Sequence, residues 1–341
     1  QNNAITGVQK ELLPIQNVPK ISHVIKKIHP EQEIVIAVGH LSDQIISYLK
    51  FVHPERKIKF IQIDHFSGNG SGPGYSLLQC KDELQCPFVF GTIDLFFDKD
   101  VTFDVKHNWI GIAEIDVSQS KNYCLVKGQD KLDSLYYGTG NIVYNGFAGI
   151  YDFREFWKAL ETSSLVNNEH QVTTAINQLN NVELKSFKNF YDTGIEDRYL
   201  DIRKKFGNEI VFAKNDEVIF LENKKVVKYF SDEAKCKNRI KRINTLEKLI
   251  PPITALNSNM FGYGFVDGVL LSDISDKSIF FKFLENFFIF AVKDTAVDRK
   301  KFSSNCIKMY KTKTYDRVKS FQNSTIDNIE YINGTRVEAI S

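Results

Sequence analysis

The sequence predicts an α/β fold, a mixed and mostly parallel sheet flanked by helices, followed by a smaller α+β module. Three observations carry this expectation. Residues 33–39 and 58–64 are short, nearly continuous apolar runs rich in β-branched side chains, as in strands buried on both faces. Between them Ile45, Ile46, Leu49 and Val52 recur at helical spacing behind Ser42 and Asp43. Strand, helix, strand at this spacing forms a βαβ unit, and the alternation continues toward residue 207.

Ahead of that unit stands Lys10-Glu11-Leu12-Leu13-Pro14-Ile15, then Asn17-Val18-Pro19-Lys20. Pro19 precedes Ile21, Val24, Ile25 and Ile28, a helical pattern that it can open because its missing N–H costs nothing there. A lysine on a rigid loop before a helix is placed to meet a phosphate, which makes Lys10 a candidate. A solvated loop lysine is the alternative. Further on, Gly68, Gly70, Gly72 and Gly74 give a backbone that can approach a flat ligand or simply turn. The strand over 87–94 ends in Asp94, a carboxylate at the strand's carboxyl end, where α/β proteins bind ligands. Strands are expected over 109–115, 123–126, 141–151 and 182–190, and helices over 153–160, 169–177 and 196–206. His170 opens one of these helices, where a capping or surface role is the expectation.

At 341 residues the chain holds about two domains. Its net charge of +2 gives no field that would draw nucleic acid or an anionic membrane. The 27 Phe and 14 Tyr suit well-filled cores. Cys80, Cys86, Cys124, Cys236 and Cys306 are scattered, with no C-x-x-C pair, which suits a reducing cytoplasm and gives no zinc signature. The apolar stretches carry charges, so no membrane insertion is expected.

The ordered set K-x-L-L-P-I, Gly-rich turn, strand-end Asp, small-residue strand and Tyr191-Asp192-Thr193-Gly194 resembles the nucleoside-triphosphate transferases, the sugar-phosphate nucleotidylyltransferases and capsule-type cytidylyltransferases. The resemblance covers residues 1–207 and implies a Rossmann-like sheet. It also implies Mg²⁺ held by Asp94 and Asp192, a phosphate contact from Lys10, and a nucleobase against Gly72, Pro73, Gly74, Tyr75 and Ser76. The partners it implies are an NTP, with CTP preferred from Gly-Pro-Gly-Tyr-Ser-Leu, and a phosphorylated small-molecule acceptor for surface polysaccharide; a homo-oligomer is allowed. It implies as well a first strand and a Gly-rich L-A-A-G-x-G-x-R loop ahead of Lys10, which residues 1–7 do not supply. The E-K lysine that grips the acceptor phosphate in many members is absent; Tyr136-Tyr137-Gly138 stands there, with Lys131 the nearest basic residue.

Residues 208–341 resemble the N-terminal lobe of choline-kinase and aminoglycoside-phosphotransferase-like proteins, with Lys228 at the ATP-lysine position and Phe265-Val266-Asp267-Gly268 at the hinge. Glu233 is the expected partner of Lys228, and the aromatic helices with Phe280, Phe281, Phe283, Phe287 and Phe288 are expected to pack together or on a partner. No H-G-D-x-H segment follows, so the module is expected to be incomplete as a kinase. Two rival readings are a degenerate nucleotide-binding regulator and a bifunctional transferase–kinase whose catalytic lobe lies elsewhere.

Overall fold

The computed structural model describes residues 7–97, 103–187, 190–207, 216–244, 250–291, 296–320, 331–332 and 335–336. Two compact units make up the chain, Gln1–Val266 and Asp267–Ser341, so the boundary expected near 207 falls inside the first.

In the first unit a two-residue ladder, β1 (Pro14–Ile15) with β2 (Val18–Pro19), leads into α1 (Lys20–Ile25). The βαβ unit forms as predicted: β3 (Ile34–Val38), α2 (Ser42–Val52) and β4 (Ile58–Gln62), with the strands parallel. After α3 (Pro73–Gln79) come β5 (Phe88–Phe90) and β6 (Leu95–Phe97), then β7 (Trp109–Glu114), β8 (Leu125–Gly128), β9 (Leu132–Tyr136) and β10 (Ile142–Ile150). The helices α4 (Phe153–Glu161) and α5 (Val172–Ile176) precede β11 (Glu183–Ser186) and β12 (Phe190–Asp192), and α6 (Glu196–Phe206) closes this part.

The mixed sheet runs β11-β7-β10-β8-β9, with β5 also paired to β10. Its parallel pair is β11 with β7, and the pairings of β10 are antiparallel. The α/β class therefore holds, with the parallel pairing concentrated in β3–β4 and β7–β11 among the described residues. A register shift in β10 falls between Tyr144 and Ala148, where Gly146 takes φ +91. A Cβ at Gly146 would also lie 2.9 Å from Thr92 Oγ1, so glycine is required twice over. The single strand expected over 182–190 is divided instead: β11 joins the sheet and β12 pairs with β6.

Ile110 and Ala148 of the sheet pack on Phe156, Trp157 and Leu160 of α4 and on α5, with Phe88 and Trp157 stacked at 5.2 Å. Each large apolar side chain buried this way contributes about 1.5–3 kcal/mol.

A second sheet, β13 (Glu217–Glu222), β14 (Lys225–Phe230), β15 (Ile253–Ala255) and β16 (Met260–Gly264), runs in the order β13-β14-β16-β15, with α7 (Glu233–Asn244) following β14. Residues 210–213, an apolar run Ile210-Val211-Phe212-Ala213 that predicts a strand, lie outside the described residues. Lys228 does sit on the central strand β14, its Nζ 5.9 Å from the Tyr263 ring centre, while Glu233 accepts a hydrogen bond from Ser258 at 2.9 Å. Val218, Phe220, Val227, Tyr229 and Met260 share one core with Leu12, Ile21, Ile45 and Leu49, so this sheet covers α1 and α2. That shared core is why residue 207 is no boundary of compactness.

The second unit contains α8 (Lys277–Ala291), α9 (Arg299–Cys306) and α10 (Lys313–Ser320). Along α8 Phe283 stacks on Phe287 at 5.9 Å and Phe287 meets Phe288 at 6.2 Å, yet these rings remain exposed.

One buried carboxylate ties the second sheet to the helices. Glu222 accepts a hydrogen bond from Tyr48 at 2.9 Å and lies 3.0 Å from the Lys26 ammonium and 3.4 Å from the His53 ring. Burial pushes its pKa up, but His53, Ser22 and Lys26 outweigh this and hold it down at about 2. Asn223 adds a hydrogen bond to the Val52 carbonyl at the end of α2. A carboxylate depressed below its unfolded value stabilises the fold above about pH 4.5, and that stability is lost as pH falls toward 2. Glu222→Gln should therefore destabilise the protein by roughly 3 kcal/mol at neutral pH. Urea midpoints of wild type and variant should converge as pH is lowered from 4.5 toward 2; a constant gap would contradict the linkage.

Candidate active site

The two aspartates singled out from sequence meet. Antiparallel pairing of β6 with β12 sets Leu95 opposite Asp192, and the Thr193 N–H donates to the Asp94 carbonyl at 2.7 Å. A Cβ built on Gly194 would lie 3.0 Å from Asp192 Oδ1 and 3.7 Å from Asp94 Cγ, so both carboxylates flank one point. The Gly194 N–H also donates to Asp192 Oδ1 at 2.7 Å.

Each carboxylate is already matched by cations. Lys10, in a short 3-10 turn, places its Nζ 2.9 Å from Asp94 Oδ1, and Lys20 lies 3.6 Å from the same oxygen. Their surroundings differ: the Lys10 side chain is 45% exposed and that of Lys20 is 0% exposed. Burial pushes the pKa of Lys20 down, while the Asp94 and Glu11 carboxylates pull it back up. On the other side Arg198 of α6 bonds Asp192 Oδ2 and the Tyr123 hydroxyl, and Tyr123 bonds the same carboxylate oxygen. Burial, reinforced by Asp192, pushes the Tyr123 phenol up to about 12. Arg198 also lies over the Tyr123 ring, 5.4 Å from its centre.

These carboxylates are hard oxygen donors of the kind Mg²⁺ takes, one or two at a time, beside water and phosphate oxygens. Asp94 keeps 38% of its side chain exposed and faces the cleft, so the donor set fits such an ion. No cluster of three or more His, Cys, Asp or Glu occurs among the described residues, so protein atoms would supply part of the coordination only.

A cleft of about 950 Å³ extends from this cluster. Asp94, Asp192 and Tyr123 line it, as do Pro73, Ser76 and residues of β3 and β5. Among the described residues β3 pairs only with β4, and β5 only with β10. Asn145 and Tyr137 also line it; the Asn145 amide nitrogen is buried without a hydrogen bond.

The glycine-rich segment serves another contact. Gly72 has φ +114, and its Cβ would lie 2.7 Å from the His170 carbonyl oxygen; Gly74's would lie 2.8 Å from it. Gly74 N–H donates to that oxygen and His170 N–H to the Ser71 carbonyl, both at 2.8 Å, so His170 acts here through its backbone. Tyr75 donates to Asp64 at 2.8 Å and lies edge-on to His65. Lys131 donates to Asn181 at 3.0 Å.

No family model matches the chain. It is 30% identical to the Bifunctional protein GlmU of Methanococcus aeolicus over 181 residues, 51% of this chain and 42% of that protein. Against the protein of the same name from Methanococcus vannielii it is 28% identical over 109 residues, 31% of this chain and 25% of that one. The chain thus spans less than half the length of the curated relatives it matches. Among solved structures, one described as a glucose-1-phosphate thymidylyltransferase from Bacillus anthracis, in complex with a sucrose, superposes with a TM-score of 0.51. The match covers 62% of this chain and 92% of that one at 16% identity. The chain has a nucleotidyltransferase fold.

Sequence reasoning did not find Lys20, Tyr123 or Arg198. Arg198 lies six residues after Asp192 in the first turn of a helix, a spacing that hints at proximity; Tyr123 is 69 residues from Asp192 and gives no local sign.

The packing of Gly72 yields a direct test. Gly72→Ala combines a disfavoured backbone angle with a carbonyl clash, and should cost about 2–4 kcal/mol in urea unfolding. A neutral outcome would show that residues 169–171 retreat freely.

Proposed function

We propose that the protein catalyses Mg²⁺-dependent nucleotidylyl transfer from an NTP, with CTP preferred, to a phosphorylated small-molecule acceptor of surface-polysaccharide assembly. The observation that carries this reading is the meeting of Asp94 and Asp192, 98 residues apart in sequence (192 − 94), at the mouth of a cleft large enough for a nucleotide. An acceptor phosphate oxygen attacks the α-phosphorus; the new O–P bond forms as the α–β bridge breaks and pyrophosphate leaves. The acceptor is already ionised, so no general base or covalent nucleophile is needed, in keeping with a site built of carboxylates and cations. Two anions must approach each other, and Lys10 at the cleft rim is placed to offset their repulsion. Asp94 and Asp192 would hold Mg²⁺, which would supply positive charge against that of the phosphates.

The cytidine preference rests on Gly-Pro-Gly-Tyr-Ser-Leu, with Pro73 and Ser76 on the cleft wall. Residues 208–341 are read as a phosphotransferase-like module, supported by Lys228 on a central strand.

Pyrophosphate release, measured for each NTP against a panel of phosphorylated acceptors, tests the reading. Asp94→Asn and Asp192→Asn should each lower turnover by about 100-fold or more, with circular dichroism unchanged. Turnover that survives both substitutions would overturn the assignment. A clear preference for GTP would overturn the choice of base, and nucleotide binding without turnover would favour the regulatory reading.

A further inference from the structure

The transfer chemistry above makes no use of Lys20, and the residue's placement needs an explanation. Its side chain is fully buried at the start of α1, and its ammonium makes no hydrogen bond. The anion it faces is Asp94, with Oδ1 at 3.6 Å. A buried ammonium is costly unless a fixed anion opposes it, and Asp94 supplies most of that opposition, with Glu11 adding to it. Lys10 neutralises the same carboxylate from the solvent side, where its half-exposed head is screened and free to swing away. Lys20 is enclosed by the fold and has no such freedom.

The charges around the cleft mouth balance. Lys10, Lys20 and Arg198 offset Asp94, Asp192 and Glu11. A bare divalent cation entering such a site adds two positive charges beside a lysine that water does not screen. A cation already bound to a polyphosphate brings a net negative charge, which the same lysine attracts.

We propose that Lys20 is a positioning residue that holds Asp94 in place of a metal and makes the site accept a divalent cation only together with a polyphosphate, the two binding as one unit. This rests on the reading of Asp94 and Asp192 as metal carboxylates. The Lys20 charge then acts with opposite sign on the two forms of the cation, opposing the free ion and favouring its nucleotide complex.

The test uses Lys20→Met, which keeps the volume, and Lys20→Gln, which keeps a hydrogen-bonding head for Asp94. Free Mn²⁺ binding is followed by electron paramagnetic resonance, and binding of Mn²⁺ complexes of CTP, UTP, ATP and GTP by calorimetry without acceptor. Both variants should bind free Mn²⁺ roughly three- to tenfold more tightly and the preferred Mn²⁺–nucleotide complex weaker by a similar factor. A merely structural lysine would weaken both together. Unchanged affinities, a parallel loss, or failure of both variants to reach the wild-type near-ultraviolet circular dichroism would each overturn the proposal. If wild-type protein binds no Mn²⁺–nucleotide complex, the transferase reading fails, and the free Mn²⁺ measurement alone decides the role of Lys20.

Discussion

The antiparallel pairing of β6 with β12 is the constraint on which the candidate site depends. It is a short ladder outside the main sheet, three residues on each strand, joined by Phe190 opposite Phe97, Tyr191 opposite Phe96 and Asp192 opposite Leu95. Little in so short a ladder holds itself together, and its stability comes from the aromatic packing beneath it. Phe96 is buried with Ile15, Tyr199 and Ile202, and lies 5.0 Å from Phe206, while the Tyr199 hydroxyl donates to the Pro14 carbonyl at 2.8 Å. The segment that carries Lys10, the strand that follows Asp94 and the helix that carries Arg198 are thereby fixed against one another. The geometry of the charges is set by apolar contacts a few ångströms away.

Two buried ions in this protein follow different rules. Glu222 is met from several sides, and His53, Ser22 and Lys26 keep it ionised far below the usual carboxylate range. Lys20 is opposed mainly by Asp94, and burial pushes its proton affinity the unfavourable way. A buried charge opposed by several partners fixes two structural layers to each other; one opposed mainly by a single carboxylate stays sensitive to whatever arrives next. Glu222 belongs to the first kind and lies between a hairpin and two helices. Lys20 belongs to the second and lies beside Asp94, which lines the cleft.

Much of the fold was legible because it is local. The apolar periods of α2 and α4 and the β-branched runs of β3 and β4 marked those elements to within two residues, while α1 ends at Ile25, short of the Ile28 its period reached. Asp94 and Asp192 could be paired only through the resemblance, since no local pattern links positions so far apart. The docking of β13 and β14 on α1 and α2 left one sign that went unread. Val218, Phe220 and Glu222 alternate along one strand face, so the period that buries the first two also buries the carboxylate. The burial of Lys20 and the clasp of Arg198 and Tyr123 on Asp192 depend on side chains brought together by packing over long separations. Sequence spacing carries no record of them.

The shared core beneath the second sheet has a consequence for how this chain can be cut or recombined. The proposed functional division falls after α6, but the packing continues across it. Leu12, Ile21, Ile45 and Leu49, which support the segment bearing Lys10 and Lys20, are covered by Val218, Phe220, Val227 and Met260 from beyond that division. A fragment ending at residue 207 would present those side chains to water along with the bare flank of α2. The two parts therefore cannot be exchanged between chains as independent modules. Any transplant of the transferase fold has to carry its hairpin with it.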